Sequence, residues 1–332
     1  MRALLIALAA LLALQPAAAA PPAPVSPAPS VGAASFVRAE DHRVAAIGYR
    51  IGLAGRRFCP EPYPLTGLSL HHLHEYAAAD RKQAVADYGL DRGPGVLAVV
   101  ADSPAARAGF AAGDIVLAVN GTPLPPASEM PDSGRGDAAR RAVEAVEGRI
   151  EAELRRGPAR LAVARGGATL TLELSPVPGC PARVRLARSD QMNAFANRGY
   201  AIVTTALLGF IRSDDELAVV LGHEIAHTIL KHPEQLEAEG VPGRGFLRAF
   251  GKNGSRVRAT EIAADRLGLR LAWAAGYDAA AALPYWRRYY AAFDSLPRLF
   301  RTHPGLRERE RLALETLEQL RAGGSDAGAK RP

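Results

Sequence analysis

Two histidines and a glutamate at helical spacing are the residues best suited to chemistry in this chain of 332 residues. They stand in the segment His223-Glu224-Ile225-Ala226-His227. Side chains four positions apart lie on one face of a helix, so the two imidazoles can bind one Zn²⁺ ion. Glu224 lies one position round the helix, where its carboxylate can act as the general base for a water molecule. The alternative is a plain helix with two core or surface histidines.

A third protein ligand is needed, because zinc sites that keep an open position usually have three. His232 follows His227 by five residues, so it points away from the pair. Glu261 and Asp265 are again four residues apart. If their helix crosses the first one, Glu261 can complete the ligand set and Asp265 can accept the outer N–H of a ligand histidine. The other interpretation of this acidic pair is a solvated helix face.

The elements that must position these groups are mainly helical. Ser213 or Asp214 is the predicted N-cap of a helix that runs to about Lys231. Apolar residues at spacings of three and four from Val44 indicate an amphipathic helix over 41–58. The other predicted elements are helices from about Arg258, at 278–293 and at 305–321, and strands at Val184–Leu186 and Tyr200–Thr205.

The combined pattern of residues 183–315 resembles the gluzincin family of CAAX prenyl endopeptidases and HtpX-like proteases. The resemblance rests on the HExxH and ExxxD segments and on a late His-Pro pair followed by an arginine. It implies a zinc endopeptidase with one Zn²⁺ ion per chain. The ligands would be His223, His227 and Glu261, and Glu224 would be the catalytic base.

The late pair is Thr302-His303-Pro304, and the arginine is Arg309. The resemblance implies that His303 approaches the site, where it can stabilise the transition-state oxyanion. It also implies that Asp265 lies behind a ligand histidine and that Arg309 braces the turn of His303.

A second resemblance lies upstream, in residues 93–121. Ser103-Pro104, Gly113-Asp114 and Asn120-Gly121 give the pattern SPAxxAGxxxGDxxxxxNG, which is similar to that of PDZ domains in exported proteases. Flanking strands, a charged helix around 143–154 and a hairpin at 160–174 extend the predicted domain to 66–178. The implied fold is a small β-barrel with helices.

PDZ domains bind extended peptides or C-termini by adding a strand to a sheet edge. The resemblance places the loop for a peptide carboxylate at Tyr88-Gly89-Leu90, and a simple packing turn is the alternative there. The run His71, His72, His74 favours a partly exposed, histidine-rich strand or turn over a second zinc site, because no fourth ligand is near.

The resemblance also implies the order of the domains. The helix at 36–60 would belong to the peptidase, so the PDZ domain would be inserted before the rest of the peptidase at 183–322. The fold class is then α+β, a mainly helical zincin-type domain with a PDZ insert. Cys59 and Cys180 stand where the chain leaves and returns, which predicts a disulfide worth roughly 4–5 kcal/mol. Two free buried thiols are the alternative.

The chain ends are expected to lie outside both domains. Residues 1–20 read as a signal peptide, with one arginine, an apolar run and small residues, although an uncleaved anchor stays open. Residues 21–35 are a proline-rich linker and 323–332 a disordered tail. No cysteine follows the apolar run to carry a lipid. The expected location is therefore a bacterial periplasm.

Composition limits the possible partners. The formal net charge is +7, and its 41 basic residues are scattered among 34 acidic ones, which argues against a nucleic-acid site. Protein or peptide substrates are expected, and contact with a membrane or with outer-membrane assembly machinery stays open. The hypothesis is an endopeptidase for misfolded or envelope proteins. The alternative is a non-proteolytic PDZ chaperone or assembly factor. Residues 240–254 form either a lid or a plain crossover.

Overall fold

The computed structural model describes residues 34–131, 137–197, 199–242, 251–293 and 304–324. The helices are α1 (Ala34–Ala54), α2 (Arg81–Tyr88), α3 (Pro104–Arg107), α4 (Asp137–Arg156), α5 (Thr205–Phe210), α6 (Asp214–Ile229), α7 (His232–Ala238), α8 (Gly251–Ala274), α9 (Ala282–Phe293) and α10 (Leu306–Gly324). The strands are β1 (Tyr63–Leu65), β2 (Leu68–His71), β3 (Gly95–Val99), β4 (Ile115–Val119), β5 (Thr122–Pro123), β6 (Ala159–Arg165), β7 (Ala168–Leu174), β8 (Val177–Gly179), β9 (Arg183–Ala187), β10 (Ala194–Asn197) and β11 (Tyr200–Thr204).

Several predicted segments fall outside the described residues. These are the signal peptide at 1–20, the linker up to residue 33, most of the loop at 240–254, His303, and the tail from residue 325. At both ends the helices run further than predicted. α1 already begins at Ala34, inside the predicted linker, and α10 continues to Gly324. Among the described residues no helix combines the length and apolar character that a bilayer span requires.

Residues 63–179 form what we call the sheet unit. Its main sheet has the order β2-β3-β4-β6-β7 with antiparallel neighbours, and β5 pairs with β4. One face of α4 covers this sheet, because Val146, Ile150 and Leu154 share a buried cluster with Leu161 and Val163. The helix and the hairpin of β6 and β7 confirm the sequence predictions, and Ser103 caps α3 through a hydrogen bond from the backbone N–H of Ala106.

Residues 34–58 and 183–324 form the helical unit. Its three-stranded sheet has the order β10-β11-β9, with β10 and β11 antiparallel and β11 and β9 parallel. Ile47 and Ile51 of α1 lie in one buried core with Leu217 and Leu221 of α6. Ser213 caps α6 as predicted, since its hydroxyl accepts a hydrogen bond from the backbone N–H of Glu216 at 3.2 Å.

Two adjacent chain segments connect the sheet unit to the helical unit. α1 precedes it and β9 follows it, and both pack in the helical unit. β1 and β8 pair antiparallel at the junction. A disulfide joins Cys59 to Cys180 beside this pair, with 5.6 Å between the Cα atoms. The two ends of the insert are therefore held together by backbone hydrogen bonds and one covalent bond.

Candidate metal centre

A pair of glycines sets the distance between α6 and α8. A Cβ atom on Gly222 would lie 2.7 Å from the carbonyl oxygen of Gly268, and one on Gly268 would lie 2.7 Å from the backbone nitrogen of His223. Both distances are shorter than a Cβ contact allows, so the two backbones can meet only without side chains here. This crossing places the acidic face of α8 against the histidine face of α6. Gly222 and Gly268 are the sequence features that could have indicated this close crossing, and the sequence analysis did not use them.

Three side chains meet at this crossing in an arrangement that suits a zinc ion. The Nε2 atoms of His223 and His227 lie 3.2 Å apart. Carboxylate oxygens of Glu261 lie 3.4 Å from the first of these atoms and 3.6 Å from the second. Zinc bonds of about 2.0–2.1 Å at tetrahedral angles put neighbouring ligand atoms about 3.3–3.4 Å apart. The three predicted ligands therefore fit one tetrahedral ion with a fourth position for water or substrate.

The electrostatics of the cluster also favour a cation. Burial opposes a charge on His223, but its hydrogen bonds to Asp265 and Glu261 outweigh this effect and raise its pKa to about 10. The two carboxylates that stabilise a proton on this imidazole would stabilise a metal ion in its place. Of the described residues, these three ligand side chains form the one group of histidine, cysteine and acidic residues close enough to hold a metal together.

Asp265 lies behind the first histidine, where the sequence analysis expected it. Its Oδ1 atom lies 2.9 Å from Nδ1 of His223. Arg309 donates to both carboxylate oxygens, at 2.9 and 2.5 Å, and its guanidinium lies 4.1 Å from the ring centre of Trp286. Burial opposes ionisation of Asp265, but Arg309 and His223 outweigh it and lower its pKa to about 2. Arg309 thus acts on Asp265, whereas its predicted contact, the turn of His303, lies outside the described residues.

His232 lies against the site, so the prediction that it points away was wrong. The prediction assumed that α6 continues, but the helix ends at Ile229 and Lys231 adopts a left-handed conformation with φ 53°. α7 then begins at His232 in a new direction. Its Nδ1 atom lies 3.0 Å from Nδ1 of His227. Burial and the neighbouring His227 lower the pKa of His232 to about 4.

Glu224 and His223 line a cleft of about 80 Å³ between α6 and α9. Glu224 is buried among helices, yet it borders this opening beside the metal-ligand cluster. Asn193 and Ala194 line the same cleft at the start of β10, which is an edge strand of its sheet. The remaining lining residues are Leu207, Val219, Val220, Asp265, Leu269, Tyr285, Trp286, Tyr289, Tyr290 and Arg309. This cleft therefore has a mainly apolar and aromatic wall, and of the three predicted ligands His223 alone lines it.

A second cleft, of about 110 Å³, lies between the two units. Residues 63–70, including the edge strand β2, line it together with α4, α1 and β9. Tyr88, Gly89 and Leu90 do not line this cleft. Gly89 is the left-handed C-cap of α2, and Leu90 is a buried core residue. These residues therefore form a packing turn, the alternative to a carboxylate-binding loop, while β2 borders the opening.

Glu147 of α4 is the centre of the contact between the sheet unit and the helical unit. Its carboxylate accepts hydrogen bonds from Arg185 of β9 and from the hydroxyl of Tyr200. Nε2 of His72 donates a third, at 3.1 Å. Arg185 also donates to Glu75 at 3.2 Å. The histidine-rich segment is thus a strand end and turn, as predicted, but His71 and His72 are buried rather than partly exposed, because the imidazole of His72 bonds to Glu147 at the junction between units.

A zinc-type site built from an HExxH helix and a crossing acidic helix, next to a small sheet covered by a helix, defines a zincin-like peptidase unit joined to a PDZ unit. Comparison with protein families agrees with this class. Residues 169–243 and 245–317 match the model of peptidase family M48, and residues 95–156 match that of the PDZ domain. The chain therefore contains an M48 peptidase domain and a PDZ domain.

Curated relatives share only part of the chain. The mitochondrial metalloendopeptidase OMA1 of Arabidopsis thaliana is 28% identical over 159 residues, which are 42% of this chain and 32% of that protein. Mitochondrial OMA1 of Bos taurus is 27% identical over 154 residues, 36% of this chain and 29% of the relative. The match thus spans about a third of the length of these relatives. A solved HtrA3 PDZ domain bound to a phage-derived ligand aligns with 36% of this chain and 90% of its own length, at 24% identity and a TM-score of 0.24.

Proposed function

We propose that this protein is a zinc-dependent endopeptidase that cleaves exported, misfolded or envelope proteins. The observation that carries the proposal is the triangle of His223, His227 and Glu261, whose edges suit a tetrahedral zinc ion. The family match adds support, since M48 peptidases typically depend on zinc. The relatives named above are metalloendopeptidases as well.

Each residue around the triangle has a separate proposed role. When bound, zinc polarises the scissile carbonyl and lowers the pKa of a water molecule. Glu224 takes the proton of the attacking water and passes it to the leaving amine. Asp265 accepts the outer N–H of His223, which keeps Nε2 of that imidazole free to bind. Arg309 holds Asp265 ionised and in place. His303 is proposed to stabilise the transition-state oxyanion.

The cleft itself suits an extended polypeptide. β10 is an edge strand, and its first residue, Ala194, lines the cleft with the catalytic glutamate. An extended substrate can pair with such an edge through backbone hydrogen bonds, which requires no particular sequence. Tyr289, which is half-buried beside the buried rings of Tyr285 and Trp286, then offers contact area for apolar side chains. Unfolded polypeptide segments offer both a free backbone for pairing and exposed apolar side chains.

The PDZ domain is proposed to bind substrate segments at β2. The cleft beside β2 measures about 110 Å³, well below the roughly 300–1,000 Å³ of ordinary ligand pockets. Movement of α4 away from β9 would widen the cleft for a peptide and would separate Glu147 from Arg185. Peptide binding would therefore loosen the contact between the two units. The composition of residues 1–20 supports the further proposal that the protein is exported to a periplasm.

The decisive experiment compares wild-type protein with Glu224→Gln on casein, with and without a zinc chelator. Glu224→Gln keeps the size of the side chain and removes the base, so cleavage should fall by about 10²–10⁴-fold while one zinc ion per chain remains bound. Glu237→Gln, an exposed change on the neighbouring helix α7, is the matched control and should cleave like the wild type. Equal cleavage by Glu224→Gln would contradict the proposal and favour the non-proteolytic PDZ chaperone or assembly factor.

A further inference from the structure

A change of direction at the end of α6 brings an unexpected histidine to the metal centre. Lys231 has φ 53°, and α7 begins with His232. The imidazole of His232 is 4% exposed and meets the ring of His227 edge to face, with ring centres 4.9 Å apart. The two Nδ1 atoms lie 3.0 Å from each other, which is a hydrogen-bond distance.

The direction of this hydrogen bond follows from what the other nitrogen of His227 faces. Its Nε2 atom lies 3.2 Å from Nε2 of His223 and 3.6 Å from Glu261, so it points into the ligand triangle. A ligand nitrogen must present its lone pair to the metal, and a neutral imidazole then carries its proton on the other nitrogen. Nδ1 of His227 is therefore the donor, and Nδ1 of His232 is the acceptor.

We propose that His232 is a positioning residue that fixes the tautomer and ring orientation of His227 for zinc binding. The proposal rests on the proposed function, since it assumes that the triangle binds zinc. Each ligand histidine then has its own outer acceptor, Asp265 for His223 and His232 for His227. Such outer partners typically account for 10–100-fold in metal affinity.

Three substitutions at this position separate hydrogen bonding from ring packing. Asn places its side-chain oxygen where Nδ1 of histidine stands, so His232→Asn keeps the acceptor and loses the ring. His232→Phe keeps an aromatic ring and loses the acceptor. His232→Ala removes both. Gln235→Ala, an exposed change one turn further along α7, is the control.

The measurement is the zinc dissociation constant of the full chain, obtained by competition with a chromophoric chelator. Circular dichroism checks that each variant is folded. We expect His232→Phe and His232→Ala to bind zinc about 10–100-fold more weakly than the wild type, and His232→Asn and Gln235→Ala to stay within about threefold of it.

Other outcomes would overturn the inference. If His232→Phe binds zinc as tightly as the wild type, or His232→Asn binds as weakly as His232→Ala, the contact is packing and the positioning role fails. In both of these cases the wild type still binds zinc, so the proposed function stands. A wild-type chain that binds no zinc would remove the proposed function and this inference together.

Discussion

Two buried carboxylates in this molecule contact the same types of side chain but lie in different parts of the structure. Asp265 in the metal centre contacts His223 and receives two hydrogen bonds from Arg309. Glu147, at the contact between the two units, receives hydrogen bonds from His72 and Arg185. Each site thus combines one acid, one histidine and one arginine. In both, burial opposes ionisation, and the interactions with the arginine and histidine partners outweigh it and lower the carboxyl pKa to about 2.

The difference lies in the second nitrogen of the imidazole. At the metal centre Asp265 meets Nδ1 of His223, and Nε2 faces another histidine and Glu261. At the contact between units His72 offers Nε2 directly to Glu147, whose remaining bonds come from Arg185 and a tyrosine hydroxyl. The comparison teaches that acid, histidine and arginine alone do not identify a metal site. What identifies the metal site is that further ligand groups face the other imidazole nitrogen, Nε2 of His223.

The largest effect is expected from Asp265→Asn. The change removes the counter-charge of buried Arg309, so the free energy of unfolding should fall by about 3–5 kcal/mol. Because His223 loses its charged acceptor, zinc should also bind about 10–100-fold more weakly. Urea unfolding and chelator competition measure the two quantities. Unchanged zinc affinity in a folded variant would mean that Asp265 serves stability alone, as Glu147 does.

Glu147→Gln is the matched change at the other carboxylate, and we expect a smaller and purely structural effect. Arg185 keeps Glu75 as a partner, so the loss should be about 1.5–3 kcal/mol, the usual range for a hydrogen bond to a charged group. Zinc affinity should stay within about twofold of the wild type, since none of the partners of Glu147 is a ligand. A clear loss of zinc binding would show that the contact between the units and the metal centre are coupled.

The smallest effect is expected on the free energy of unfolding at acidic pH. The pKa of Glu147 is about 2 in the folded chain and 4.5 as its ordinary value, so the unfolded state binds the proton first as the pH falls. The stability that its ionised form contributes is therefore complete above about pH 5 and is lost between about 4.5 and 2. The difference in unfolding free energy between the wild type and Glu147→Gln should shrink across this interval. A difference that stays constant down to pH 2 would show that the charge of Glu147 does not stabilise the fold.

Local patterns made part of this structure predictable. Spacing along a helix fixes which side chains share a face, so the ligand pair on α6 and the acidic pair on α8 could be read from the sequence. Cap chemistry is equally local, as Ser103 and Ser213 show. The failure at His232 was local as well, because the prediction extended the helix through Lys231, which instead adopts a left-handed conformation.

The sequence left open whether Tyr88-Gly89-Leu90 is a binding loop or a packing turn, for a different reason. Tyr88-Gly89-Leu90 has the glycine of a binding loop, but which strand lies at the edge of a sheet depends on how all the strands pair. In the structure β2 occupies that edge, and Gly89 ends a helix instead. Strand order is a property of contacts between distant residues, so no local pattern contains it.

By itself the sequence determined the candidate metal ligands, because the HExxH and ExxxD segments each place their groups on one helical face within a single turn. It also contained the PDZ pattern and the two cysteines that the structure joins. Only the tertiary structure decided how closely the helices cross, which histidine supports His227, and how the units meet. Glu147 reaches partners 38 to 75 residues away in the chain, and folding alone brings such groups together. The physical reason is the distance along the chain over which each effect acts. Residue spacing determines which side chains share a face of one helix or strand, whereas tertiary packing determines which of these faces come into contact.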